Sequence, residues 1–169
     1  MIVRPATAAD AGAIALIHNP IIRDTPITFT TRERTPEDVA GAIAAAPCFL
    51  VAEEDGRVGG FASYEQFRKG PGYAQTMEHT IILAPSLRGR GAGRTLMAAL
   101  EDHARSAGAG SLWAGISAEN PGGVAFHAAI GFEHAATLPS VGRKFGRWMD
   151  LVLMHKWLMR QGDAPSGSL

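Results

Sequence analysis

Leu83-Ala84-Pro85-Ser86-Leu87-Arg88-Gly89-Arg90-Gly91-Ala92-Gly93-Arg94-Thr95-Leu96-Met97 carries an apolar strand into a turn of glycines and arginines that opens a helix. Such a turn makes an anion cradle. Gly89, Gly91 and Gly93 allow φ > 0 and a close backbone approach. The first N–H groups of the helix have no intrahelical partner and lie at the positive end of its dipole. Arg88, Arg90 and Arg94 add formal charge, which suits a pyrophosphate; a solvated surface loop is the competing reading, because short glycine motifs recur by chance. No Lys followed by Ser or Thr is present, so a Walker A loop is excluded. The G-x-G-x-G spacing in mid-chain also departs from the dinucleotide fingerprint. What remains is R-x-x-G-x-G, as Arg88-Gly89-Arg90-Gly91-Ala92-Gly93.

Outward from that loop, alternation and turn chemistry order the chain. Ile2–Arg4 reads as a short strand. Thr7 to Asp10 offers a cap ahead of Ile14, Ile17 and Ile21 at helical spacing, with Pro20 expected to kink or end that helix. Thr35 at N-cap and Pro36 at N1 start a second helix to about Ala45. Phe49–Glu53, the turn Glu54-Asp55-Gly56-Arg57 and Val58–Tyr64 give a hairpin. Thr76–Leu83 is the strand that feeds the loop. Leu96, Leu100, Ala104 and Ala107 mark the helix after it, which Gly108-Ala109-Gly110 ends. Ser111–Ile116, a helix from Asn120-Pro121 to about Ile130, and strands at Glu133–Leu138 and Trp148–Lys156 complete the series. The order is β-α-α-β-β-β-α-β-α-β-β, so an α/β (α+β) fold is expected. Its sheet is central, mixed and mostly antiparallel, with helices on both faces.

The 169 residues are expected to form one domain over 1–158, with the small polar end 159–169 a disordered tail. Lys plus Arg equals Asp plus Glu at 16 each, which leaves no broad basic field for nucleic acid. Cys48, the single cysteine, lies in the apolar run Cys48–Ala52 and reads as a buried hydrophobe. The N-terminus lacks a leader pattern, and no apolar run reaches the roughly 18 residues of a membrane span. A cytoplasmic location and no membrane partner are the expectations.

Three segments narrow the reading. Thr76-Met77-Glu78-His79-Thr80-Ile81-Ile82-Leu83 is similar to a T-V-E-x-[ST]-V-Y-V strand. Ala118-Glu119-Asn120 with Phe126-His127-Ala128-Ala129-Ile130-Gly131-Phe132 resembles an A-x-N…L-H-x-x-x-G-F block. Leu138-Pro139-Ser140-Val141-Gly142-Arg143-Lys144-Phe145-Gly146-Arg147-Trp148-Met149-Asp150 resembles L-P-x-V-G-x-K-F-G-R-W-x-D. All three, with the R-x-x-G-x-G loop, resemble the phosphinothricin and methionine sulfoximine subgroup of the GNAT N-acetyltransferases. The resemblance implies the GNAT fold, acetyl-CoA as cosubstrate without a metal, a small amine acceptor and a homodimer. The acceptors implied are small amino-acid analogues with a free α-amino group, of the phosphinothricin, methionine sulfoximine or methionine sulfone type.

An α-amine is mostly protonated at neutral pH and needs a base before it can attack a thioester. Glu78 is the candidate. Alternation puts Glu78, Thr80 and Ile82 on one face of their strand and Met77, His79, Ile81 and Leu83 on the other. A carboxylate among Thr and Ile is anomalous for packing, and burial would raise its pKa. His79 is the competing base on the opposite face. His127 reads as a packed or interface histidine, and the acid that protonates the coenzyme thiolate is unassigned. Cofactor contacts are expected from Ile81, Ile82 and Leu83 through their backbones, from Arg88, Gly89, Arg90, Gly91, Ala92, Gly93 and Arg94 in the loop, and from Asn120. Arg88 has a structural alternative. Asn120 can pair with a pantetheine amide, cap its helix, or do both.

Phe67-Arg68-Lys69-Gly70-Pro71-Gly72-Tyr73 is expected to hold the substrate. Arg68 supplies a cation for a carboxylate, Pro71, Gly72 and Tyr73 shape the site, and Phe29 gives an apolar wall. The segment departs from the subgroup's R-x-A-Y form. Arg143, Lys144 and Arg147 are open between substrate, coenzyme phosphate, a dimer contact and a charged loop. Two further readings stand beside the amino-acid acetyltransferase. One is an acetyltransferase for a protein N-terminus or a polyamine, against which the basic Arg68-Lys69 argues. The other is a non-catalytic acyl-CoA-binding module, against which Glu78 argues.

Overall fold

A computed structural model describes residues 1–159; the expected tail lies outside the described residues apart from Met159. Eleven strands and helices follow in the expected order: β1 (Ile2–Pro5), α1 (Ala11–Asp24), α2 (Pro36–Ala45), β2 (Cys48–Glu54), β3 (Arg57–Gln66), β4 (Thr76–Leu83), α3 (Ala92–Ser106), β5 (Ser111–Ser117), α4 (Pro121–Ala129), β6 (Glu133–Lys144) and β7 (Arg147–Trp157). The described strands form one seven-stranded sheet in the order β1-β2-β3-β4-β5-β7-β6, and its single parallel pair is β4–β5. Among the described residues no helix is long and apolar enough to cross a membrane.

Each face of the sheet has its own core. On one, Ile14 and Ile21 of α1 and Val39 of α2 pack on Val51, Phe61 and Ile82. On the other, Leu96, Met97, Leu100 and Ala104 of α3 pack on Leu50, Ala62, Leu112 and Ala114. Leu96 and Leu100 are one turn apart and fully buried. Truncating Leu100 to Ala would cost about 2–5 kcal/mol.

Two boundaries differ from the sequence reading, each for a local reason, and of the two effects expected of Pro20 the ending is excluded, since α1 runs on to Asp24. Leu16, four residues before that proline, shares its exposed face, so water can take the carbonyl that a proline cannot bond. β3 runs two residues past Tyr64, because Glu65 and Gln66 pair with Glu78 and Met77 of β4. β6 continues past Leu138, where the ladder breaks and resumes at Gly142 opposite Met149. There Ser140 takes φ 52° and donates its N–H to Asp150 Oδ1 at 2.9 Å. Phe145 and Gly146 then close the β6–β7 hairpin, both with left-handed φ, as Asp55 and Gly56 do between β2 and β3.

Candidate active site

The glycine loop leaves the N-terminus of α3 open. Gly89 and Gly91 have φ of 71° and 83°, a region that disfavours side chains. Gly91 is the N-cap, and among the described residues no side chain caps the helix. The first intrahelical bond is Thr95 N–H to Gly91 O, 3.1 Å, so the amides of Ala92, Gly93 and Arg94 precede the ladder. A β-carbon on Gly93 would lie 3.0 Å from the Phe126 ring, so glycine here lets α3 approach α4. The three arginines part company. Arg88 turns back to the Leu83 carbonyl at 3.3 Å, and Arg94 reaches the Ala129 carbonyl at 3.2 Å; both line the groove. Arg90 instead forms a two-point pair with Glu54 at 2.7 and 2.9 Å.

From the loop a groove of about 570 Å3 runs past Ile81, Ile82 and Leu83 to Asn120 and His127. It exists because β4 and β5 separate. Their parallel pairing runs from Thr76↔Ser111 to His79↔Ala114 and stops there. Thr80–Leu83 therefore face a gap instead of a neighbouring strand. Asn120 caps α4 by accepting the Gly123 N–H at 3.0 Å, and its side chain also borders the gap. Its two roles are compatible.

At the mouth of this gap a second cavity, about 170 Å3, is bounded by Thr28 and Phe29, by Thr80 and by His127. A third, about 260 Å3, continues on the α1–α2 side and contains Glu78, Glu65 and Arg34. Thr80 and His18 border both. Glu78 stands beside Gly115, where a β-carbon would lie 3.0 Å from its Oε1. Burial raises the Glu78 pKa; Arg68 lowers it and Glu65 adds to the rise. His18 packs edge-on against Phe61, ring centroids 5.4 Å apart, and burial pushes its pKa down to about 4.

His79 points to the opposite face, as alternation requires, and meets His127. Their Nε2 atoms are 3.0 Å apart, while His79 Nδ1 faces the Trp113 carbonyl at 2.9 Å and His127 Nδ1 faces the Gly123 carbonyl at 2.7 Å. Carbonyl oxygens only accept, so each contact needs its own hydrogen. A neutral pair holds two hydrogens for three contacts and leaves one contact without a hydrogen. Burial pushes both imidazoles below their usual pKa, His79 to about 3. The contacts pull the other way, since a third proton would satisfy all of them.

The expected substrate segment sits at the rim. Arg68, Pro71, Gly72 and Tyr73 are exposed, and the Arg68 guanidinium lies 4.7 Å from the Phe67 ring centroid. Phe29 is inside, laid over Gly142, where a β-carbon would collide with its ring. Of the three cations left open, Lys144 is buried and holds the Phe29 loop, donating to the carbonyls of Thr25 at 2.7 Å and Thr28 at 2.8 Å. Arg143 stacks over Trp148, and Arg147 pairs with Glu119. Sequence reasoning gave no part to Arg34, Glu65 or His18. The β3–β4 register could have revealed Glu65, because it lies directly opposite Glu78.

Three comparisons show what the chain is similar to. The sequence profile of the acetyltransferase (GNAT) family matches residues 19–132. The chain is 38% identical to the L-amino acid N-acyltransferase MnaT of Escherichia coli over 91% of this chain and 92% of that one. It is 37% identical to the L-methionine sulfoximine/L-methionine sulfone acetyltransferase of Salmonella typhimurium, over the same shares. Among solved structures, an acetyltransferase of Salmonella typhimurium with acetyl-CoA superposes with a TM-score of 0.92 at 33% identity, covering 98% of each chain.

Proposed function

Since the chain belongs to the GNAT acetyltransferase family, we propose that it moves acetyl from acetyl-CoA to the α-amino group of a small amino-acid analogue, with Glu78 as general base. The observation that carries this reading is the run of three cavities from the uncapped end of α3 to Glu78. A long cofactor and a small acceptor can therefore meet where β4 and β5 part. Methionine sulfoximine and sulfone lead the acceptor list, with phosphinothricin from the sequence resemblance.

The residues present suit acetyl-CoA. The amides of Ala92, Gly93 and Arg94 would take the pyrophosphate, with Arg88 and Arg94 beside them. The free edge of Ile81–Leu83 and the Asn120 amide would take the pantetheine amides. The cosubstrate supplies a thioester carbonyl carbon for the nitrogen lone pair. Glu78, held as a half-buried carboxyl of raised pKa, accepts the proton of the ammonium. The coenzyme leaves as a thiolate and takes its proton from solvent, because His127, the one described histidine that borders both the groove and the second cavity, has its two ring nitrogens engaged by His79 and the Gly123 carbonyl. Arg68 and Tyr73 guard the entrance, where the Arg68 charge reaches Glu78. A homodimer belongs to this reading; Val141, Phe145 and Trp148 give the β6–β7 hairpin an exposed apolar tip for it. Sedimentation tests that part.

Release of free thiol from acetyl-CoA is the assay. Turnover with methionine sulfone, methionine sulfoximine or phosphinothricin is expected. Thiol release with none of them removes the acceptor assignment.

A further inference from the structure

Glu65 and Glu78 are direct cross-strand neighbours on one face of the sheet, and both border the third cavity. Like charges placed so are destabilising unless a cation separates them. Neither makes an ion pair with another described residue. Arg34 borders the same space, and its guanidinium also has no carboxylate partner among the described residues. By contrast Arg32, two residues earlier, is paired with Asp38. The Arg34 backbone is held at two points by Asn19 of α1: its N–H donates to Asn19 Oδ1 at 2.8 Å and its carbonyl accepts from Nδ2 at 3.0 Å. It also precedes Thr35, the N-cap of α2. The guanidinium is thus carried by a fixed stretch of chain. Phe49 and Phe61, stacked with centroids 5.4 Å apart, add an apolar wall.

We propose that this cavity is built for a zwitterion: Arg34 binds the α-carboxylate of the acceptor, and Glu65 with Glu78 receives its α-ammonium. A guanidinium matches a carboxylate at two points, and the two acids gain a directly bound cation in place of the distant Arg68 charge. The proposal rests on the α-amino-acid reading above and goes further, by naming the groups that make a free carboxylate necessary. Glu65 is a positioning residue, which holds the ammonium and keeps the Glu78 proton affinity high.

The experiment compares methionine sulfone with 3-(methylsulfonyl)propylamine, the same amine without its carboxylate, in wild type, R34Q, R34K, E65Q and R68Q. Wild type should prefer the amino acid. In R34Q the ratio of kcat/KM for the two acceptors should fall about 10- to 100-fold, through KM for the amino acid, as expected for a lost charged hydrogen bond. R34K should fall between. E65Q should shift the acid limb of the pH profile downward, a change that a merely structural role would not make. A ratio unchanged in R34Q, or one that collapses in R68Q instead, overturns the proposal and leaves the acetyltransferase reading intact. Wild type that acts on neither acceptor overturns the proposal and removes methionine sulfone from the acceptor assignment, which sulfoximine and phosphinothricin then test separately.

Discussion

On the proposed function, the glycine loop and the Glu78 cavity would recognise their ligands by opposite means. The loop is one contiguous stretch, Arg88–Arg94, that presents backbone amides, and its glycines matter through φ and close approach. The cavity is assembled from side chains of α1, the Arg34 segment, β3 and β4, far apart in sequence. Backbone recognition is indifferent to most side-chain change but intolerant of strain. Side-chain recognition fails one group at a time. Damage at the first site should therefore appear in coenzyme affinity, and damage at the second in the acceptor.

The largest break is expected from Glu78→Gln. With no base, kcat/KM for the amine should fall roughly 10²- to 10⁴-fold while KM for acetyl-CoA holds. The pH profile checks the cause. Wild-type activity should rise along an acid limb set above the ordinary glutamate range, because burial raises the Glu78 pKa, and that limb should vanish in the variant. An acid limb that survives would move the base elsewhere.

Gly91→Val tests the other side. A β-branched residue at φ 83° is strained by about 1–3 kcal/mol, which corresponds to roughly 5- to 150-fold weaker coenzyme binding by calorimetry. The acceptor KM should barely move. Equal losses in both would show that the two regions are coupled.

The same contrast explains what could be read in the sequence. Ile81–Leu83 running into the glycines declares a cradle within fifteen residues, because local geometry makes the site. The two faces of β4 were legible too, since alternation alone sends Glu78 one way and His79 the other. Arg34 was not, because only the fold of α1 against α2 brings it to the cavity that holds Glu78. The inward turn of Lys144 was hidden as well: a lysine in a Gly-Arg-Lys-Phe-Gly hairpin looks solvated until a distant loop offers it two carbonyls. Pro20 was legible only as a kink or an end, because exposure rather than sequence decides whether a helix continues through a proline.

Lys144→Met gives a smaller effect. The carbonyls of Thr25 and Thr28 lose their donor, at about 1–3 kcal/mol, and the loop bearing Phe29 loosens. Acceptor KM should rise by up to about tenfold with coenzyme KM constant, and hydrogen exchange over residues 25–31 should quicken. Unchanged exchange would show that Phe29 against Gly142 holds the loop alone.

The mildest effect concerns stability. The folded pKa of His18, about 4, lies below its ordinary 6.5. Between those values the unfolded chain binds the extra proton, so stability rises with pH across that window and falls on acidification. Thermal melts from pH 4 to 7 should show that slope, and His18→Gln should reduce it, leaving the part that the buried His79 and His127 contribute.

The early end of the β4–β5 ladder leaves an unpaired strand edge in the interior of the sheet. Unpaired edges invite other chains to add a strand. Here the exposed stretch is only Thr80–Leu83, and it is recessed between the α1–α2 loop and α4. On the proposed reading a slender chain of spaced amides fits this recess, so the cosubstrate would complete the sheet each time it docks and reopen it each time it leaves.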